Sequence, residues 1–167
     1  VNKQELITTY LQFCVEYGLD TQEVVVGHGG AMVMHGIRET TSDIDISIHE
    51  KLFDLFRLDP TWVAKDIGRG DICLDKGVLS LHRGHYPHGL DLATEEIDCV
   101  LVHDLQSIIE SKSFLGRAKD VEAIRDLQRR YPKWKTPCHY CGETLPYGFW
   151  EYGPNHGYVH CRHCKGV

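Results

Sequence analysis

Along the first fifty residues the spacing of apolar positions changes twice, and each change marks an element. Between Lys3 and Tyr17, Leu6, Tyr10, Leu11 and Cys14 recur at helical spacing, which predicts an amphipathic helix stopped by Gly18. Val24-Val25-Val26 is a short β-branched run of the kind that fills a buried strand. From Asp43 to Ile48 the pattern alternates: Asp43, Asp45 and Ser47 fall on one face of a strand, Ile44, Ile46 and Ile48 on the other. Between the two strands, Gly29 and Gly30 let the backbone turn tightly and approach a ligand with no Cβ in the way. Ala31 to His35 then suit a short helix whose first N–H groups point back at the glycines, an anion site.

Further along, the pattern is more broken. Residues 50–57 suit a short helix ended by Asp59-Pro60, and 71–74 and 78–82 read as a hairpin punctuated by Gly68, Gly70 and Gly77. The polar run His82-Arg83-Gly84-His85-Tyr86-Pro87-His88 reads as a loop. Strands are expected over 89–93 and 99–102, helices over 104–113 and 117–130, and a linker over 131–137, where two prolines fall. The expected architecture is α+β: a mixed sheet with flanking helices over residues 1–130, then a small module over 138–167.

The alternation of Asp43 to Ile48 also carries the chemistry. Two carboxylates project together beside a glycine turn suited to phosphate, which is the apparatus for holding a metal–nucleotide complex. A lone Gly-Gly is an ordinary turn and a lone Asp-x-Asp an ordinary solvated strand face; their order, with a strand before and an isoleucine-backed strand after, points to function.

The stretch V-V-V-G-H-G-G-A-M-V-M-H-G-I-R-E-T-T-S-D-I-D-I-S-I resembles the core of the nucleotidyltransferase superfamily that includes DNA polymerase beta. It is most similar to the small bacterial and phage members of abortive-infection and antitoxin type, and Gly116-Arg117-Ala118-Lys119-Asp120 resembles a late helix opening in those proteins. The resemblance covers roughly residues 20 to 130 and implies a nucleotidyltransferase-like fold. It implies transfer of a nucleoside monophosphate from a nucleoside triphosphate to an acceptor hydroxyl, with Mg²⁺ or Mn²⁺ held by Asp43 and Asp45. Gly29 and Gly30 would contact the triphosphate through backbone N–H groups. A third carboxylate on a later strand is implied as well. Asp91, alternating with Leu90 and Leu92, is the first choice; Asp75 follows, then Asp71 and Asp98. Arg38, Lys112, Arg117 and Lys119 are candidates for the triphosphate and pyrophosphate, although each alone reads as a solvated charge. His82, His85 and His88 invite a metal site, but a polar loop near the active site is the simpler reading.

The seven cysteines sort into two groups. Cys14, Cys73 and Cys99 sit among apolar residues and read as buried small hydrophobes. Cys138-x-x-Cys141 and Cys161-x-x-Cys164, nineteen residues apart, have the spacing of a structural four-cysteine Zn²⁺ site, a zinc ribbon. The metal would replace a core the segment is too short to build; His139, His160 or His163 could stand in for a cysteine. Four cysteines leave no open position for catalysis.

Charge changes the picture only modestly. Of the net −6, residues 131–167 hold Lys133, Lys135, Arg162 and Lys165 against Glu143 and Glu151, which is +2 and leaves −8 for residues 1–130. An acidic body repels phosphate chains, so nonspecific nucleic-acid binding is not expected of it. Tyr140, Tyr147, Phe149, Trp150, Tyr152 and Tyr158 could stack on bases, or pack around the zinc, which is the preferred reading. No apolar run suits a membrane span, and Glu5, Thr8, Thr9, Gln12 and Glu16 make residues 2–17 too polar for a signal-peptide core. A cytoplasmic protein is expected, with no membrane partner and an acceptor that is an RNA end, a protein or a small molecule. The alternatives are a catalytically weak binding or regulatory protein with the same fold, a zinc ribbon that is itself the purpose, and, more remotely, kinase-type phosphotransfer.

Overall fold

The computed structural model describes residues 1–68, 71–84, 92–115 and 118–130, and the short segments 136–137, 144–145, 150–152 and 159–161. The chain divides into two compact units, Val1–Leu105 and Gln106–Val167.

In the first unit, α1 (Lys3–Tyr17) opens with a capping box: Asn2 and Glu5 each accept the other's backbone N–H. It ends at Gly18, whose φ of 62° lies in the left-handed region and lets its N–H reach back to the carbonyls of Cys14 and Val15. Then come β1 (Val24–Val26), α2 (His28–Met34), β2 (Ile44–Ile48) and α3 (Glu50–Phe56). They are followed by β3 (Val63–Gly68), β4 (Asp71–Lys76), β5 (Leu79–Arg83), β6 (Thr94–Ile97) and β7 (Val100–His103). The seven strands form one mixed sheet in the order β3-β4-β5-β2-β1-β7-β6. β2 runs antiparallel to β1 and parallel to β5, and β1 runs parallel to β7.

Register explains the alternation read in β2. Val24 pairs with Ile48 and Val26 with Ile46, so these apolar side chains share one face, and all four are fully buried. That face carries the helices. Leu6 of α1 and Gly30 of α2 meet Val26 and Ile44 there, and Arg83 stacks 5.1 Å over Phe53 of α3. An aromatic group of Phe13, Tyr17, Phe56 and Trp62, with ring centroids 4.7 to 6.3 Å apart, locks α1 to α3. Burial of Phe13, Phe56 and Trp62 is worth about 1.5–3 kcal/mol apiece over the exposed state, and half-buried Tyr17 less.

Tyr10 ties α1 to the sheet by a polar contact. Its hydroxyl lies 2.9 Å from the carbonyl oxygens of both Thr21 and Val24, and burial holds its pKa well above the ordinary tyrosine value. Tyr10→Phe removes the donor while keeping the ring, and is expected to cost about 1–2 kcal/mol. Urea unfolding would show this as a lower midpoint at an unchanged slope.

The second unit contains nearly all of α4 (Leu105–Leu115) and α5 (Ala118–Arg130). Val121, Ala123, Ile124 and Leu127 make the buried stripe of α5. Two small antiparallel pairs follow: β8 (Thr136–Pro137) with β9 (Thr144–Leu145), and β10 (Trp150–Tyr152) with β11 (Val159–Cys161). No helix among the described residues is long and apolar enough to cross a membrane.

Several expected elements shift. Helix α2 starts three residues early, at His28, so Gly29 and Gly30 lie inside its first turn rather than in a loop before it. Strand β3, not anticipated, pairs with β4 as the sheet edge. The strand expected over 89–93 has residues 89–91 outside the described set, and the strand preceding β7 is instead Thr94–Ile97. Cys14 and Cys73 are buried as expected, with burial raising both thiol pKa values, but Cys99 is exposed in a left-handed turn with Asp98.

Candidate functional site

The second face of the sheet is the polar one. Val25 pairs with Ser47, Asp45 with Ser80, and Ser47 with His82, so Asp45, Ser47, Ser80 and His82 share it; Asp75, opposite Ser80 on β4, extends the row. Asp45 is half-buried, whereas Asp43, just before β2, is exposed and takes a 2.8 Å hydrogen bond from the Ser42 hydroxyl. Two hydrogen bonds place Asp45. Its backbone carbonyl accepts the Gly27 N–H at 2.9 Å, and its side-chain Oδ1 lies 3.1 Å from His82 Nε2. The first bond ties the entry of α2 to the carboxylate strand.

His28, the first residue of α2, stands edge-on to His82 with ring centroids 6.3 Å apart. Its φ of 44° is left-handed, a conformation uncommon for residues other than glycine and held at some cost by the surrounding structure. Such outliers cluster at functional sites.

The glycines act by closeness. A Cβ on Gly30 would lie 2.7 Å from Val26 Cγ1 and 3.3 Å from Leu6 Cδ1, so Gly30 is where α2 meets the sheet and α1. A Cβ on Gly29 would lie 2.6 Å from the Thr41 hydroxyl. Neither glycine has a positive φ, so conformational freedom is not the reason for either.

Of the other expected site residues, Arg38 is exposed on the loop after α2. Asp75 accepts a 2.7 Å hydrogen bond from Ser80 and lies 3.8 Å from Lys65. Asp71 is exposed, and Asp98 pairs with Lys3 at 2.9 Å. Within the second unit Lys112 is buried and pairs with buried Asp120 at 3.3 Å, while Lys119 is exposed. Asp91, Arg117, His85, His88, Cys138, Cys141 and Cys164 lie outside the described residues; Cys161 ends β11, its backbone paired with Trp150. Among the described residues no group of three or more His, Cys, Asp or Glu side chains could hold a metal ion.

His82 ends the strand expected over 78–82 and also opens the run expected as a loop; the structure puts it in β5, buried, on the face of Asp45. What the sequence reading missed is that it faces Asp45. The usable signal was the alternation of Leu79-Ser80-Leu81-His82, which sets Ser80 and His82 on one side of a strand.

No protein-family model matches the chain, and no curated protein does. Among solved structures, the crystal structure of JHP933 from Helicobacter pylori is similar at 14% identity with a TM-score of 0.49, over 78% of this chain and 66% of that one. The chain therefore spans just under two thirds of that protein's length. A likeness this distant carries no argument about function.

Proposed function

We propose that the chain is a metal-dependent nucleotidyltransferase, moving a nucleoside monophosphate from a nucleoside triphosphate to an acceptor hydroxyl on an RNA end, a protein or a small molecule. The supporting observation is Asp45 on the polar face of β2, bonded both to the entry of α2 and to His82, with Asp43 exposed just before the strand.

The donor set suits Mg²⁺ or Mn²⁺. Carboxylate oxygens are hard ligands, and Mg²⁺ is commonly held by one or two carboxylates plus substrate phosphates and water rather than by an all-protein cage. A pair of carboxylates, one half-buried and one exposed, meets that need. When bound, the cation supplies charge neutralisation on the triphosphate. Asp43 and Asp45 would hold it, Gly29 would bring backbone close to the triphosphate, and Arg38 would offer positive charge. Asp91 is proposed to accept the proton of the acceptor hydroxyl. The proposed fold is nucleotidyltransferase-like over residues 1–130, with a zinc ribbon over 138–167 in which Cys138, Cys141, Cys161 and Cys164 hold structural Zn²⁺. Elemental analysis is expected to find about one zinc per chain. Thiolate ligands suit a reducing compartment, which favours the cytoplasm.

The test is label transfer from each α-phosphate-labelled nucleoside triphosphate with Mg²⁺ or Mn²⁺, offering total RNA and a protein lysate as acceptors. Label on one acceptor class, lost in Asp45→Asn, supports the enzyme and identifies its target class. No label from folded, zinc-loaded protein overturns it. The second reading, a regulatory protein of the same fold binding nucleic acid or a partner through its ribbon, would then stand. It is favoured by one observation: the positions of β5 facing Asp45 and Ser47 are Ser80 and His82, neither a carboxylate.

A further inference from the structure

Given the proposed role of Asp45, we infer that His82 is its positioning residue: the imidazole holds the Asp45 carboxylate in the orientation that receives the cation. The His82 Nε2 to Asp45 Oδ1 distance is 3.1 Å, with side-chain exposures of 9% and 19%. A carboxylate only accepts, so Nε2 carries the hydrogen and donates it. In so dry a place the bond is stronger than at the surface.

The imidazole is itself well fixed. Strand β5 is paired on both sides, with β2 and β4, and its register puts His82 opposite Ser47, one alternate position beyond Asp45. The His28 ring then stands edge-on to it at 6.3 Å. Asp43 is held differently: it is exposed, and among the described residues its hydrogen bond comes from the adjacent Ser42. One carboxylate of the pair is thus preset, and the other can adapt to the nucleotide. Hydrogen-bonding groups behind metal-binding carboxylates typically alter metal affinity or activity about 10–100-fold when removed.

Two substitutions separate the hydrogen bond from the packing. His82→Gln keeps an N–H donor near the position of Nε2 and loses the ring; His82→Phe keeps the ring and loses the donor. Mn²⁺ binding is measured with a non-hydrolysable nucleoside triphosphate present, and the part lost in Asp45→Asn is taken as the site's own. Thermal melts check that each variant folds. His82→Phe is expected to weaken Asp45-dependent Mn²⁺ binding about 10–100-fold, and His82→Gln to stay within about threefold of the parent. Parental binding by both variants, or by Phe and not Gln, overturns the positioning role and leaves the nucleotidyltransferase reading intact. Absence of Asp45-dependent Mn²⁺ binding in the parent protein overturns both.

Discussion

Asp45→Asn is expected to lower label transfer about 10³-fold, the loss of about 4 kcal/mol of transition-state stabilisation. The substitution is nearly isosteric. Its amide oxygen can still accept from His82 Nε2, and the backbone bond from Gly27 to residue 45 does not involve the side chain. The fold is therefore retained, and what disappears is one negative charge at the place proposed for the cation. Asp43→Asn is expected to cost less, because that carboxylate is exposed and its charge is more screened by water. Asp54→Asn is the control for charge alone: Asp54 pairs with Arg83 at 3.2 Å on the helix-covered face, and transfer is expected to be unchanged. The readout is the single-turnover rate at saturating Mg²⁺ and triphosphate, which separates a lost charge from a weakened KM. Equal losses in all three variants would show that bulk charge, rather than the Asp45 site, sets the rate.

Much of the scaffold under this site was legible because local and tertiary demands coincide there. The Lys3–Tyr17 helix matches its expected bounds, since its apolar stripe and Gly18 mark the same segment, and the structure adds the Asn2 cap. Strand β2 was legible for the same reason: its isoleucines face the helices and Asp45 the polar side, as alternation requires. Strand β3 was not. Val63 to Gly68 is an edge strand exposed throughout, so burial imposes no alternation on V-A-K-D-I-G. The Asp98–Cys99 turn also gave no signal, because cysteine is not a turn residue, yet both positions are left-handed. His82 was legible in part: the strand expected over 78–82 ends on it, while the histidine, glycine and proline that follow read as loop. Its place beside Asp45 was not legible, because the parallel pairing of β5 with β2 leaves no mark on the local pattern.

Gly30→Val is expected to be the most disruptive single change in the scaffold, and its contrast with Gly29→Ala separates packing from ligand contact. On helix propensity alone, replacing a helical glycine by alanine gains about 1 kcal/mol. At Gly30 that gain is overrun. The new Cβ would stand 2.7 Å from Val26 Cγ1 and 3.3 Å from Leu6 Cδ1, both on fully buried side chains, and the β-branched valine at 26 has few other rotamers. Overpacking costs about 1–3 kcal/mol for added methylenes, and valine adds three carbons and its own branched stiffness. A loss of about 3 kcal/mol is therefore expected for Gly30→Val and about 1 for Gly30→Ala, read as urea midpoints. Relief by sliding α2 off the sheet would strain the Gly27 N–H bond to Asp45, so Mn²⁺ binding should weaken along with stability. At Gly29 the obstacle is Thr41 Oγ1, 2.6 Å from the added Cβ, on a side chain that is only half-buried and can turn about χ1, unlike the fully buried Val26. Gly29→Ala is thus expected to leave stability within about 0.5 kcal/mol of the parent. If Gly29 approaches the triphosphate as proposed, the same methyl raises the nucleotide KM without unfolding anything. An unchanged KM would confine both glycines to the packing of α2.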